Sequence, residues 1–425
     1  MADDRIIVGL DIGTSVIRVA IGEVDDEDKL HIVATSAQKS AGLRNGVIVN
    51  IEDAKDAIKQ AIEAAETKGG VLVNSVIVSI GGSQIESQNT SGVIPIRSNN
   101  KGSSSAVSRE DIEKVIDIAT AINYPADREK IHVIPQDYII DGVAHIPDPM
   151  NCLGYKLEAK VHIITASKTI IQNIKTCMSR AGYGLDGVML KTLAETQAVT
   201  HEDELELGSI IIDFGAGTTD VIVLYQGAPI STCSIPVGGN LVTNDIAVVN
   251  GVPFVTAEKI KLEHGCCYPQ MITKDNDIDI CLPGVGGQPP GIVKKSEISE
   301  IVTARMTQIL TMAKQAIIKN TSDIIKDLSG NIILTGGAAN MEGIVALTGE
   351  VFHTRAVRIG IPESLGGLEE EYRRPEYSAA VGLVVSNKGL VNARSGRKKT
   401  RKQSAGSGSD ENKEGFLKKL RKLFF

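Results

Sequence analysis

Asp11 and Asp213, 202 positions apart, sit in segments built to one grammar, and this repetition restricts the fold more than any other feature. The first segment runs Arg5-Ile-Ile-Val-Gly-Leu10, Asp11-Ile-Gly-Thr-Ser15, Val16-Ile-Arg-Val-Ala-Ile-Gly22. The second runs Ser209-Ile-Ile-Ile212, Asp213-Phe-Gly-Ala-Gly-Thr-Thr-Asp220, Val221-Ile-Val-Leu-Tyr225. Each reads as strand, glycine-containing turn, strand: a hairpin with a polar tip. A repeat of such long period implies two related α/β halves. The 425 residues have room for two or three domains.

An aspartate followed by a glycine turn between strands suits phosphate chemistry. Gly13, Gly215 and Gly217 let the backbone approach closely, and its N–H groups can point at phosphate oxygens. Thr14, Ser15, Thr218 and Thr219 add hydroxyl donors, while Asp11 and Asp213 can hold a hydrated Mg²⁺ through water. Two such loops face to face would clamp a triphosphate. No GxxxxGK[ST] is present, and no GxGxxG opens a helix near the start, so P-loop and dinucleotide folds are set aside. A single DxGT turn would be no more than a good hairpin tip. The matching pair gains a third element in Ile332-Ile-Leu-Thr-Gly-Gly-Ala-Ala339, a buried strand whose Gly336, Gly337 and Ala338 suit a flat adenine. Glu258 and Lys261 share a helix face at i, i+3 spacing; they read either as a solvated salt bridge or as contacts to ribose and base.

Helices are expected over Ile51–Lys68, ending at Gly69-Gly70, from Ser108 to Asn123, and over Ser296–Leu328. A mixed stretch at 85–164 reads as an inserted α+β subdomain. Six cysteines show no CxxC pair and no histidine at zinc-ligand spacing, which suits idle thiols in a reducing cytoplasm. The polar, acidic N-terminus does not read as a signal peptide, and no apolar run reaches the roughly 20 residues that span a bilayer. From Lys388 onward twelve basic residues face three acidic ones, a balance of +9; with the whole chain at −7, the remainder carries −16. A basic tail on an acidic body argues for a tail that works separately on an anionic surface, and against nucleic-acid binding by the body.

In order, DIGTS, DFGAGTTD, VGGN (Gly238, Gly239 and Asn240 among them), AEKIK and LTGGAA resemble the actin superfamily, and within it the bacterial cell-division family FtsA. The resemblance covers about residues 5–386 and the tail. It implies an actin-like (ribonuclease H-like) two-domain fold in which an inserted subdomain replaces one actin subdomain. The halves would be 1–193, with the insert at about 85–164, and 194–387, with a partner-binding subdomain at about 226–324. It also implies ATP with Mg²⁺, self-association into filaments, recruitment of later division membrane proteins, and docking of the acidic C-terminal peptide of the tubulin-like protein FtsZ. Lys294, Lys295 and Arg305 are the candidates for that docking, against the plainer reading of a solvated helix face. The chain departs from the pattern in three places. Ala216 stands within the second phosphate loop, where only a negative φ accommodates it. Arg18 stands where relatives often carry a phosphate-facing lysine. Leu190-Lys-Thr-Leu193 replaces a frequent Glu-Pro, leaving Glu195 nearby to join Asp11 and Asp213 as candidate catalytic carboxylates. Weak or absent hydrolysis is expected.

Residues 388–414 turn to Ser, Gly, Lys and Arg, a flexible linker composition. Beyond it, at 415–425, Phe416, Leu417, Leu420, Leu423 and Phe424 form one apolar helical stripe, with Lys418, Lys419, Arg421 and Lys422 around it. This is the pattern of an interfacial membrane helix, expected at the cytoplasmic face of the inner membrane. Each apolar side chain offers at most about 1.5–3 kcal/mol and each cation about 1 kcal/mol near anionic lipid. Ordering the backbone costs roughly 1 kcal/mol per residue, so one tail binds weakly, whereas several on one filament bind tightly. Three other classes share parts of the pattern. A sugar kinase needs a carboxylate base and a sugar-binding insert, a chaperone ATPase continues into a large substrate domain, and a pilus-assembly relative has no use for this tail.

Overall fold

The computed structural model describes residues 5–96, 104–284, 289–321 and 330–391. Strand β1 (Ile6–Ile12) is buried almost end to end, as its near-continuous apolar sequence requires of a strand covered on both faces. It meanders into β2 (Val16–Val24) and β3 (Leu30–Lys39). A small hairpin of β4 (Leu43–Arg44) and β5 (Val47–Ile48) turns at Asn45-Gly46, both with positive φ, as a tight hairpin turn demands. Helix α1 (Ile51–Gly69) follows as expected: Asn50 accepts from the Glu52 and Asp53 amides, and Gly70 at φ 63° stops it. Its Ala54, Ala57, Ile58, Ala61, Ile62 and Ala65 form the buried stripe. Strand β6 (Ser75–Ile80) then runs parallel to β1.

The insert comprises β7 (Ile85–Pro95), β8 (Ser105–Ala106), α2 (Arg109–Thr120), β9 (Arg128–Ile140), β10 (Leu153–Gly154) and β11 (Lys156–Ser167). Its three-stranded antiparallel sheet has the order β7-β11-β9, with α2 packed on it. The Ser108–Asp111 capping box forms as the sequence predicts. However, α2 stops at Thr120 rather than Asn123, with Ala121 leaving the helical region at ψ 44°. After α3 (Lys168–Ala181), β12 (Gly184–Leu190) completes a sheet of order β12-β6-β1-β2-β3.

The second half follows α4 (Lys191–Val199) and α5 (Glu202–Leu207). A meander of β13 (Ser209–Phe214), β14 (Thr219–Tyr225) and β15 (Ala228–Ile235) leads into α6 (Gly239–Asn250) and α7 (Phe254–His264). Next come β16 (Asp279–Leu282), β17 (Gly291–Lys294), the long α8 (Lys295–Thr321), β18 (Ile332–Thr335), α9 (Ile344–Phe352) and β19 (Val357–Ile359). The chain closes with α10 (Glu369–Tyr372) and α11 (Ser378–Ser386). The second sheet reads β15-β14-β13-β18-β19, the first sheet over again from its other edge. In both, three antiparallel strands are followed by two parallel ones. The chain is therefore an α/β protein of two topologically identical halves with one insert.

The expected boundary at 193 falls inside α4, and α11 crosses back to the first half. A Cβ on Gly9 would stand 2.2 Å from the Ala380 carbonyl, and one on Gly382 would stand 1.9 Å from that of Ala194. Only bare backbone lets α11 pass between β1 and α4 so closely. The two helices share a core that draws Ile7 and Ala20 from one sheet and Ile211 and Ile333 from the other. Helical structure also continues to Val391, which is buried, so residues 388–391 belong to the body rather than to the linker.

Candidate functional site

The two hairpin tips meet in a cleft of about 420 Å³ between the halves. A Cβ on Gly217 would lie 2.8 Å from Thr14 Oγ1 and 2.9 Å from the Asn45 Cα, so the loops touch through glycine alone. The Asn45-Gly46 turn joins them, its Gly46 amide donating to Thr14 Oγ1 at 2.9 Å. Ala216 is absent from the residues with positive φ, which is the condition its side chain needs. Gly13, Thr14, Ser15, Arg18, Glu195, Gly215, Gly217, Thr218 and Gly239 all line the cleft. Gly238 and Asn240 support it from behind: the Gly239 and Asn240 amides donate to the Gly215 and Ala216 carbonyls at 3.0 and 2.8 Å. Thr219 is turned away, its hydroxyl donating to the Val237 carbonyl at 2.9 Å, so it holds the hairpin rather than the cleft.

On the far wall, Gly336 (φ 84°), Gly337 and Ala338 lie where the sequence put them. Glu258 and Lys261 also line the cleft as an ion pair at 2.7 Å, the lysine buried and the glutamate half-buried. Lys261 Nζ further donates to Thr243 Oγ1 and the Gly239 carbonyl, at 2.9 and 3.2 Å. Arg18 stacks its guanidinium 5.7 Å from the Tyr377 ring centre and keeps a buried Nε with no hydrogen-bond partner among the described residues.

A carboxylate cluster lies at the cleft floor. Asp11 accepts from Ser79 Oγ at 2.6 Å. Asp213 is fully buried, and Lys191 Nζ lies 2.6 Å from its Oδ2 and 4.0 Å from Asp11 Oδ2. Burial alone would lower the lysine, but Asp11 and Asp213 hold it well above its ordinary pKa. Burial likewise pushes the Asp213 carboxyl up, with Lys191 pulling the other way. Glu195, one turn along α4, is raised well above the carboxylate range, first by burial and then by Asp213. Lys191, Ser79, Asp220 and the Gly81-Gly82 pair that ends β6 were not singled out from sequence. Gly81-Gly82 matches Gly336-Gly337 in the repeat and was the signal available.

The residues fit a nucleotide's phosphates: glycine loops that no side chain could enter, hydroxyls, and an unpartnered arginine donor. They fit Mg²⁺ between Asp11 and Asp213 poorly, because an ammonium already stands there. Among the described residues no three histidine, cysteine or carboxylate side chains are placed to hold a metal.

Elsewhere the structure changes the sequence reading. Arg305 is bound through Nε and Nη2 to Asp245 at 2.5 and 2.9 Å, and Lys295 pairs with Glu342 at 2.7 Å. Of the three candidate peptide contacts, Lys294 is the one largely exposed, with Asp277 at 3.9 Å. The tail at 415–425 and the linker from 392 lie outside the described residues. No helix of the described residues is long and apolar enough to cross a membrane.

A family model described as "SHS2 domain inserted in FTSA" matches residues 82–165, the insert, and one described as "Cell division protein FtsA" matches residues 210–382. The cell division protein FtsA of Borreliella burgdorferi is 42% identical over 381 residues, 90% of each chain. The chain belongs to the FtsA family. FtsA of Pseudomonas aeruginosa is 37% identical over 418 residues, 98% of this chain and 97% of that one. FtsA of Escherichia coli K12 is 35% identical over 387 residues, 90% of each. Solved structures similar in fold include the PilM-PilN type IV pilus biogenesis complex (TM-score 0.62, 15% identity, 89% and 97% of the two chains). MreB5 of Spiroplasma citri bound to AMPPNP (0.54, 14%, 93% and 99%) and the MamK double helical filament (0.52, 14%, 89% and 98%) share it. The fold is actin-like.

Proposed function

We propose that this FtsA-family chain binds ATP between its duplicated loops, self-associates, and tethers FtsZ to the cytoplasmic face of the inner membrane at the division site, where it gathers later division proteins. The observation that carries the nucleotide part is the approach of Gly217 to Thr14 across the cleft, which lines one space with the glycine loops and hydroxyl-bearing residues of both halves. An MreB neighbour is described as bound to AMPPNP and a MamK neighbour as a double helical filament, which favours ATP and polymers here. The stripe of Phe416, Leu420 and Leu423 with its lysines supports the anchor, and Lys294 is the foremost contact for an acidic peptide.

The chain's own groups favour holding ATP over splitting it. Burial raises Glu195 well above its ordinary value, which disfavours the carboxylate form that would take a proton from water. Asp213 is tied to Lys191. Nucleotide then acts as a clamp between halves, and assembly gives the tails their shared grip on the membrane.

Phosphate release by the full chain with ATP, with and without anionic vesicles, tests this. Tight binding, negligible turnover and ATP-dependent sedimentation with vesicles are expected. Rapid turnover would make the protein an ATPase motor instead. Equal sedimentation by a chain ending before Gly415 would remove the anchor.

A further inference from the structure

Lys191 is misplaced by local rules. It opens α4, where the helix's partial positive charge disfavours a cation. No acidic residue stands in that first turn and no side chain caps it. The side chain is only 16% exposed. What holds it there is the pair of hairpin-tip aspartates, Asp213 at 2.6 Å and Asp11 at 4.0 Å. Those are the carboxylates that a water-held Mg²⁺ would use. Since Mg–O bonds are about 2.1 Å long, an ion reaching a carboxylate through water would stand roughly 4 Å from it. The ammonium fills that space, and two cations there would repel each other.

We propose that Lys191 is the resident counter-cation of the cleft, joining the two phosphate loops and receiving a nucleoside triphosphate without a divalent ion. This rests on the nucleotide reading above. An ammonium carries three donors. Asp213 takes one and Asp11 lies beyond hydrogen-bond distance, so donors remain for a phosphate oxygen in the cleft that Lys191 lines.

The test is titration of the full chain with N-methylanthraniloyl-ATP in EDTA and in millimolar Mg²⁺. Wild-type affinity should agree within about threefold between the buffers. Lys191→Met should bind at least about tenfold more weakly in EDTA and recover in Mg²⁺, as the ion enters the vacated space. Its melting temperature should also rise with Mg²⁺ before nucleotide is added, whereas that of wild type should not. Lys191→Met strands Asp213 in a dry site, so Lys191→Met/Asp213→Asn is made in parallel. That double variant lacks the stranded charge and should show no Mg²⁺ response. Wild-type binding that vanishes in EDTA and returns with Mg²⁺ overturns the role of Lys191 and leaves the nucleotide reading standing. Lys191→Met binding equally well in both buffers also overturns that role. No binding in either buffer by wild type overturns both.

Discussion

In each half an aspartate near the end of the first strand faces, across its hairpin, the residue seven positions on. In the first half the pair is Asp11 and Arg18; in the second it is Asp213 and Asp220. The backbones match strand for strand, yet one hairpin carries its own cation and the other sets two carboxylates side by side. Asp220 accepts from Thr218 Oγ1 of its own hairpin at 3.1 Å and from the Gly82 amide of the first half at 3.4 Å. Asp213 takes its cation from α4, the helix that follows the last strand of the first half's sheet. Duplication copied the topology, and a residue of one half balances the charge of the other.

Neutralising each aspartate in turn separates the two halves. Asp213→Asn leaves Lys191 buried without its nearest counter-charge, which should cost about 3 kcal/mol. Asp11→Asn keeps an acceptor for Ser79 and removes the more distant carboxylate, costing about 1 kcal/mol. Denaturant unfolding of both variants measures the difference. Equal losses would mean that the two halves carry the charge alike.

A second asymmetry lies in the glycine pairs that end β6 and β18. A Cβ on Gly336 would stand 2.0 Å from Asp213 Oδ1, on a backbone with φ of 84°. At Gly81 the nearest atoms are 3.3 and 3.5 Å away and φ is not positive. Gly336→Ala should therefore cost about 2–4 kcal/mol and weaken nucleotide binding, while Gly81→Ala should cost under about 1 kcal/mol. A Gly81→Ala loss as large as that of Gly336→Ala, in melting and in nucleotide titration, would show that the wall of the first half is equally tight.

Sequence reasoning reached what repeats or is local. The hairpins, the helix that ends at Gly69-Gly70, the capping box of Ser108 and the strand running into Gly336 all announce themselves in nearby residues. It missed what depends on distant packing. Lys191 is an unremarkable lysine between an apolar strand and a helix until folding sets Asp11 and Asp213 around it. Arg305 read as free because Asp245 lies sixty residues away, and Lys295 because Glu342 is forty-seven away. The domain boundary failed for the same reason: α11 packs against strands more than 350 positions earlier in the chain.

The smallest expected effect concerns how the insert is tied to each half. His132 of β9 meets the first half, accepting the Leu190 amide at Nε2 over 2.9 Å, at the strand end that delivers Lys191. His162 of β11 meets the second half, with Thr232 Oγ1 at 3.3 Å from Nε2 and Asn89 Oδ1 at 2.6 Å from Nδ1. Burial lowers both rings to about 4. A folded-state value below the unfolded 6.5 means that their contribution is complete above pH 6.5 and is lost as pH falls toward 4. The two should not contribute alike. A protonated His162 still faces oxygens that can accept, whereas a protonated His132 presents a second N–H to the Leu190 amide and breaks that bond. His132→Gln keeps an acceptor but does not titrate. It should recover roughly 1 kcal/mol of the stability that wild type loses by pH 5, and His162→Gln should recover less. Thermal melts from pH 7.5 to 4.5 decide between them, and a larger recovery in His162→Gln would place the acid-sensitive joint at the second half.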